Sequence, residues 1–98
     1  GVRAFASAQE AVAVQDAIFD LATPPQFHAQ VLSSLPDGAP ALIQKPMGAD
    51  LAQARAIRQL CREKGLKAAV NFQLRFSPMM MAARQAVQGG LIGDPLEL

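Results

Sequence analysis

The sequence is poor in the residues that build disulfides, metal sites and membrane spans. Cys61 is the single cysteine, so no internal disulfide can form, and it has no Cys or His neighbours at metal-ligand spacing. A lone thiol fits a reducing compartment, and we therefore expect a cytoplasmic protein without a metal site. No run approaches the roughly 20 apolar residues of a membrane helix, and the first residues do not form a basic-then-apolar leader.

Net charge is also nearly absent. Nine Lys and Arg against eight Asp and Glu give a formal charge of +1, which is too weak a field to attract nucleic acid or an acidic membrane surface. Neither is expected as a partner. Apolar residues make up 51% of the chain and charged residues 17%, a balance typical of a globular domain with a buried core.

Apolar runs of strand length alternate with patterns of helical spacing. The runs cover residues 17–22, 39–43 and 66–72, and a strand-like run at residues 2–6 opens the chain. Helical spacing covers residues 26–35, with Thr23 or a neighbour as the expected cap, and then residues 51–64 and 78–88. Asp50 with Gln53 resembles a capping box, and Gly65 suits a left-handed helix end. This alternation with short connections predicts an α/β fold built on a parallel sheet.

The candidate site lies where the predicted strands end, because ligands of open parallel sheets bind beyond the carboxyl ends of the strands. Residues 23–25 end the first run, residues 44–46 the second and residues 71–76 the third. Since these ends meet at one edge of the sheet, we expect Thr23, Lys45 and Arg75 to face the same concavity.

Four short motifs follow one another along the chain, three at these strand ends and one in the turn after the last predicted helix. They are Thr23-Pro24-Pro25 with His28 soon after, Gln44-Lys45-Pro46, Arg75-Phe76-Ser77-Pro78, and Gly90-Leu91-Ile92-Gly93-Asp94-Pro95. In this order and spacing they resemble the Gfo/Idh/MocA family of oxidoreductases, from about Val2 to Leu98. The resemblance implies that residues 1–74 are the carboxyl-terminal half of a doubly wound, dinucleotide-binding Rossmann domain. Residues 75–98 would then begin a second, α+β domain for substrate binding and oligomerisation.

The same resemblance implies an activity. Members of the family transfer a hydride between NAD or NADP and a hydroxyl-bearing carbon of a sugar, inositol or related polyol, and the cofactor carries the chemistry. Lys45 would be the catalytic residue, because a cation there can stabilise developing alkoxide charge. The implied cofactor-binding set is Thr23, Pro24, His28, Gln44, Lys45, Pro46, Gln73 and Arg75. Pro46 is a candidate to follow a cis peptide bond, and the natural protein is expected to be a homo-oligomer.

Several residues depart from the family pattern. Gln44 replaces the usual Glu, and Asp20 puts a carboxylate into an apolar strand, where it needs a partner or an exposed edge. Neither a Gly-x-Gly-x-x-Gly turn nor the acidic residue that would choose the adenine ribose occurs in the 98 residues. We therefore expect the middle of a longer enzyme, inactive by itself. Its sheet would have three parallel strands, with an amino-terminal segment that is loosely attached or pairs non-natively.

A response-regulator receiver domain is the alternative from a different functional class. There, Thr23 and Lys45 would be the switch threonine and the phosphate-binding lysine of an α/β signalling module. The strand at 66–72 and the Arg75 motif have no counterpart in a receiver, which argues against this alternative. A small structural domain without any ligand is the third hypothesis, and the same ordered motifs argue against it.

Other conspicuous residues are predicted to be structural. Met79, Met80 and Met81 are expected to fill gaps in the core. Cys61 lies on the apolar stripe of its helix and is expected to be inert. The recurring arginines of that helix are expected to form a solvated face, and they are Arg55, Arg58 and Arg62. Without the family resemblance, His28 is predicted to be a hydrogen-bonded histidine at the boundary of the core and not one in contact with a cofactor.

Overall fold

A three-stranded parallel sheet organises the part of the chain that the computed structural model describes, residues 1–14 and 16–94. Its strands are β1 (Phe19–Leu21), β2 (Pro40–Gln44) and β3 (Lys67–Asn71), in the order β1-β2-β3. Residue 20 pairs with residue 42, and residue 44 with residue 71. The predicted α/β class and the predicted three parallel strands are confirmed.

Helices connect the strands, as parallel pairing requires. A short helix, α1 (Ala8–Ala11), precedes the sheet, α2 (His28–Ser34) connects β1 to β2, and α3 (Leu51–Glu63) connects β2 to β3. A fourth helix, α4 (Pro78–Gln88), follows the sheet, and single 3-10 turns occupy Pro25–Phe27 and Gln73–Phe76. Within the described ranges, no helix combines the length and the apolar character needed to cross a membrane.

Two of the predicted helix starts are confirmed, and the third, for which Thr23 or a neighbour was the expected cap, has Pro24 at the cap position. The Asp50 carboxylate accepts a hydrogen bond from the backbone N–H of Gln53 at 2.7 Å, and Ser77 caps α4 by accepting from Met80 N–H. At the start of α2, Thr23 does not act as the predicted cap. The 3-10 turn at Pro25–Phe27 lies between Thr23 and α2, and neither the turn nor the helix has a side-chain cap.

The expected strand at residues 2–6 is wrong. The backbone of residues 1–5 has no regular structure, and Val2 is fully exposed. A strand needs a neighbour to pair its N–H and C=O groups, and this run lies on no ladder of the sheet. Residues 1–14 pair with none of the three strands, and the expectation that this segment is loosely attached stays a prediction.

The core lies on one face of the sheet. Side chains alternate along a strand, so Leu21, Ala41 and Ile43 point to the face where α2 and α3 pack. There they meet Leu32 and Ile57, both fully buried. The opposite face carries the even-numbered residues of β1 and β2, which are Asp20, Pro40, Leu42 and Gln44.

Among the residues predicted to be structural, Cys61 and the arginines of α3 agree with the prediction and the methionines do not. Cys61 packs partly buried against the core, as expected. The three arginines of α3 are exposed, also as expected. The prediction for the methionines is wrong, because Met79 is 74% exposed and α4 has no buried residue. The segment after Asp94, including Pro95 of the last motif, lies outside the described residues.

Candidate functional site

The carboxyl ends of the three strands place three connecting segments at one edge of the sheet. Residues 22–27 leave β1, residues 45–50 leave β2 and residues 72–76 leave β3. The peptide bond between Lys45 and Pro46 is cis, as the sequence led us to expect. This edge is where an open parallel sheet binds its ligands.

A small cleft at this edge brings together three of the predicted site residues. Lys45, Gln73 and Arg75 line it with Phe72 and Leu74, and its volume is about 170 Å³. We call it the Lys45–Arg75 cleft. Its two walls leave the ends of neighbouring strands, β2 on one side and β3 on the other. With an ammonium, a guanidinium and an amide, the cleft can hold an anionic group or stabilise developing negative charge.

Thr23 does not line this cleft. It lines a separate depression together with Phe27 of the 3-10 turn and Gln30 of α2. The predicted common concavity is therefore confirmed for Lys45 and Arg75 and wrong for Thr23. Thr23 precedes the 3-10 turn at Pro25–Phe27, and strand position alone did not predict that turn.

His28 is fully buried between the segments that leave β1 and β2. Its Nε2 lies 2.9 Å from the carbonyl oxygen of Thr23, and its Nδ1 lies 3.1 Å from the carbonyl oxygen of Met47. A carbonyl only accepts hydrogen bonds, so the ring donates to at least one of them in either tautomer. The imidazole thus links two backbone segments of the candidate site. Its contact with a cofactor remains a prediction.

Gln53 provides a second link between the same two segments. Its Nε2 donates to the carbonyl oxygen of Gln26 at 3.3 Å, and its Oε1 accepts from the backbone N–H of Ala49 at 2.6 Å. The residue that completes the Asp50 cap therefore also fixes the end of the segment that begins at Lys45. The capping box predicted its position on the helix but not this second role.

Gly48 lies where that segment presses against the first turn of α3. A Cβ at this position would come within 2.8 Å of the backbone nitrogen of Ala54 and 3.2 Å of the carbonyl carbon of Gln53. Backbone atoms cannot move aside as a flexible side chain can, so the close approach requires glycine here.

Three polar side chains form a hydrogen-bonded row on the face of the sheet opposite α2 and α3. Gln44 Nε2 donates to Asp20 Oδ1 at 2.8 Å, and Asn71 Nδ2 donates to Gln44 Oε1 at 2.9 Å. We call Asp20, Gln44 and Asn71 the polar ladder. A carboxylate in an apolar strand needs a hydrogen-bond partner or exposure to solvent, and Asp20 has both. Asn71 belongs to the predicted strand end at residues 71–76, but its bond to Gln44 was not predicted, because that bond depends on the register of β2 and β3.

A larger depression lies at the opposite edge of the sheet. It has a volume of about 570 Å³ and is lined by residues that precede β1 and β2, among them Phe19, Pro36 and Pro40. Although it is larger than the Lys45–Arg75 cleft, it lies at the amino ends of the strands. Ligands of open parallel sheets bind at the other edge, so the smaller cleft is the better candidate.

Two curated proteins are similar to most of this chain. Inositol 2-dehydrogenase of Rhizobium meliloti is 33% identical over 86 residues, which are 87% of this chain and 26% of that protein. D-apiose dehydrogenase of Paraburkholderia graminis is 32% identical over 77 residues, which are 78% of this chain and 20% of that protein. No family model matches the chain.

A solved structure shows the same likeness. The scyllo-inositol dehydrogenase of Lactobacillus casei, with bound NAD(H) and scyllo-inositol, has a TM-score of 0.71 at 29% identity. The likeness covers 90% of this chain and 27% of that one. The resemblance to the Gfo/Idh/MocA oxidoreductases is confirmed. This chain spans about a quarter of the length of these relatives.

The likeness to Gfo/Idh/MocA oxidoreductases argues against the receiver hypothesis. The similar proteins are dehydrogenases, and their likeness to this chain continues beyond the helix at which a receiver would end. The third strand and the Arg75 segment, which a receiver lacks, are also the parts that form one wall of the Lys45–Arg75 cleft.

The thiol of Cys61 is expected to react slowly in the folded chain. Burial raises the pKa of this thiol, so less of the nucleophilic thiolate is present near neutral pH. We expect alkylation by iodoacetamide at about pH 8 to be at least threefold slower, as a rough estimate, in the folded protein than in urea. Mass spectrometry of quenched samples measures both rates. Equal rates in the two conditions would contradict the inert role given to Cys61.

Proposed function

We propose that the natural protein to which this chain belongs is an NAD- or NADP-dependent dehydrogenase of a polyol, inositol or sugar. The observation that carries the proposal is the convergence of Lys45, Gln73 and Arg75 in one cleft at the carboxyl edge of a parallel sheet. The similar proteins support the substrate class, because their names specify inositol, scyllo-inositol and D-apiose.

The residues of the cleft fit the nicotinamide and substrate end of such a site. When bound, NAD(P) supplies the hydride chemistry. The Lys45 ammonium would hold the substrate oxygen and stabilise the negative charge that develops there as a base removes the hydroxyl proton, before the departing hydride turns the alkoxide into a carbonyl. Arg75 and Gln73 would bind and orient polar groups of the cofactor or substrate from the other wall. The glycine turn that cradles a pyrophosphate does not occur in these 98 residues.

The other members of the cofactor-binding set lie around the neighbouring segments. Thr23 and Pro24 belong to the segment after β1, and Gln44 and Pro46 flank Lys45. We assign them to the dinucleotide site because they belong to the motifs that resemble the family. His28 is assigned to the same site, with its buried ring between two of these segments.

We also propose the division of the chain into a Rossmann part, residues 1–74, and the start of a substrate domain, residues 75–98. Helix α4 supports it, because it follows the proposed boundary and adds no buried side chain to the core. A homo-oligomeric state and a cytoplasmic location remain predictions, as does the absence of nucleic acid, membrane and metal partners.

Hydride transfer by the purified natural protein tests the proposed function. Scyllo-inositol, myo-inositol, D-apiose and D-glucose would each be offered with NAD⁺ and with NADP⁺, and the fluorescence of the reduced cofactor would be followed. We expect saturable reduction with at least one of these polyols or sugars and a preference for one cofactor. A folded protein that reduces neither cofactor with any member of the panel would contradict the proposal.

A further inference from the structure

We propose that the polar ladder, Asp20, Gln44 and Asn71, sets the spacing between the two walls of the Lys45–Arg75 cleft and keeps Lys45 directed into it. Gln44 and Asn71 are positioning residues in this proposal, and Asp20 selects their orientation. The inference rests on the proposed function for its kinetic consequence. Its geometric basis is independent of that function.

The ladder joins the strand ends from which the cleft walls depart. Gln44 is the last residue of β2 and directly precedes Lys45, and Asn71 is the last residue of β3 and directly precedes Phe72. The pair formed by Gln44 and Asn71 is also the last registered pair of the two strands. Their 2.9 Å side-chain hydrogen bond therefore links the walls at their base, where the backbone ladder ends.

Asp20 fixes the direction of every hydrogen bond in the ladder. An ionised carboxylate only accepts, so Gln44 must turn its Nε2 towards Asp20 and its Oε1 towards Asn71. Asn71 must then donate through Nδ2. A flip of the Gln44 amide would place an oxygen against the carboxylate and an NH₂ against the donor of Asn71. One carboxylate on β1 thus selects one orientation for two amides on β2 and β3.

The ladder also determines where its negative charge lies. Position 44 is neutral, and the carboxylate sits on the neighbouring strand β1, where it accepts the hydrogen bond from Gln44. A carboxylate at position 44 could not donate to Asp20 as the Gln44 amide does, so it would face Asp20 without a hydrogen bond between them. Gln44 and Asp20, the two departures from the family pattern, are therefore explained together.

An exchange of the two side-chain types tests the ladder in the natural protein. Gln44→Glu sets two carboxylates against each other, and we expect kcat/KM for the polyol to fall roughly tenfold, the size of a coupling between residues in contact. The double variant Asp20→Asn with Gln44→Glu restores the bonds. Its amide at position 20 can donate to the carboxylate at position 44, and that carboxylate can also accept from Asn71. We expect the double variant to return to within about threefold of the unsubstituted protein.

Gln59→Glu is the matched control. Gln59 Nε2 donates to Glu63 Oε1 at 2.9 Å on the exposed face of α3, so this variant breaks a bond of the same kind away from the cleft. It should leave kcat/KM unchanged. A ladder that only stabilises the fold would lower the melting temperature of the Gln44→Glu variant and leave kcat/KM intact, which would overturn the proposal.

Crystal structures of the same variants provide a readout that does not depend on activity. The distance between the Cα atoms of Lys45 and Arg75 should change by more than about 0.5 Å in the Gln44→Glu variant and return in the double variant. An unchanged distance, or a double variant no better than Gln44→Glu, would refute the ladder. An inactive unsubstituted protein would instead refute the proposed function, and the Cα distance would still decide the ladder's role in spacing the walls.

Discussion

The Lys45→Ala variant of the natural protein is expected to turn over its polyol substrate about 100-fold more slowly, or worse, because one preorganised donor to a developing oxyanion contributes that much. Lys45 is exposed in the cleft it shares with Arg75, so its ammonium is available to a ligand. The loss should fall mainly on kcat, since the alkoxide charge that Lys45 stabilises exists in the transition state and not in the bound substrate. Steady-state kinetics of polyol oxidation measure it.

Lys67→Ala is the matched control for this experiment. Lys67 is also an exposed lysine, but it begins β3 at the opposite edge of the sheet. Its removal changes the net charge by the same amount and should leave kcat unchanged. Lys45→Arg should retain part of the activity, because it keeps the cation but changes its shape. A Lys45→Ala protein with undiminished kcat would rule out the catalytic role.

The His28→Ala variant is expected to lower the free energy of unfolding by about 3 kcal/mol or more. The substitution leaves the carbonyl oxygens of Thr23 and Met47 without their buried partner and opens a cavity beside the core. An imidazole with one N–H donates to one of these carbonyls, so one buried acceptor loses its donor at a cost of about 1–3 kcal/mol, and the lost packing adds to this. Equilibrium unfolding in urea, followed by circular dichroism, measures the change.

Two further variants separate the hydrogen bonds of His28 from general helix effects. His28→Gln offers an NH₂ group that can donate to one or both carbonyls, so it should lose roughly half as much stability as His28→Ala. Gln30→Ala, at an exposed position of the same helix, should change stability by less than about 0.5 kcal/mol. A loss below about 1 kcal/mol for His28→Ala would show that the buried imidazole is not the link between the two segments.

Local patterns were sufficient for most of the fold. The apolar runs predicted β1, β2 and β3, and the Asp50 box predicted the start of α3, because these features depend on neighbouring residues. The run at residues 2–6 has a similar local pattern but no strand to pair with. A strand is a property of two segments, and one segment cannot reveal whether its partner exists.

Sheet order predicted one part of the candidate site, the meeting of Lys45 and Arg75, but not the position of Thr23 or the polar ladder. Lys45 and Arg75 follow adjacent strands, so sheet order alone brought them together. Thr23 was misplaced, because it lines a separate depression with Phe27 and Gln30, which depends on the conformation of the segment after β1 and not on strand order. The polar ladder was missed because it requires the register of three strands at once, and a shift of one residue would move each side chain to the opposite face.

Because of the tight contact at Gly48, the two walls of the cleft differ in how well they tolerate substitution. On the β2 side, a Cβ at position 48 would collide with the backbone of α3, so this position must stay glycine. On the β3 side, the cleft residues Phe72 and Leu74 are 54% and 61% exposed, so side chains of other sizes can extend into solvent there. Directed evolution towards a new polyol should therefore randomise Phe72 and Leu74 and keep Gly48 fixed.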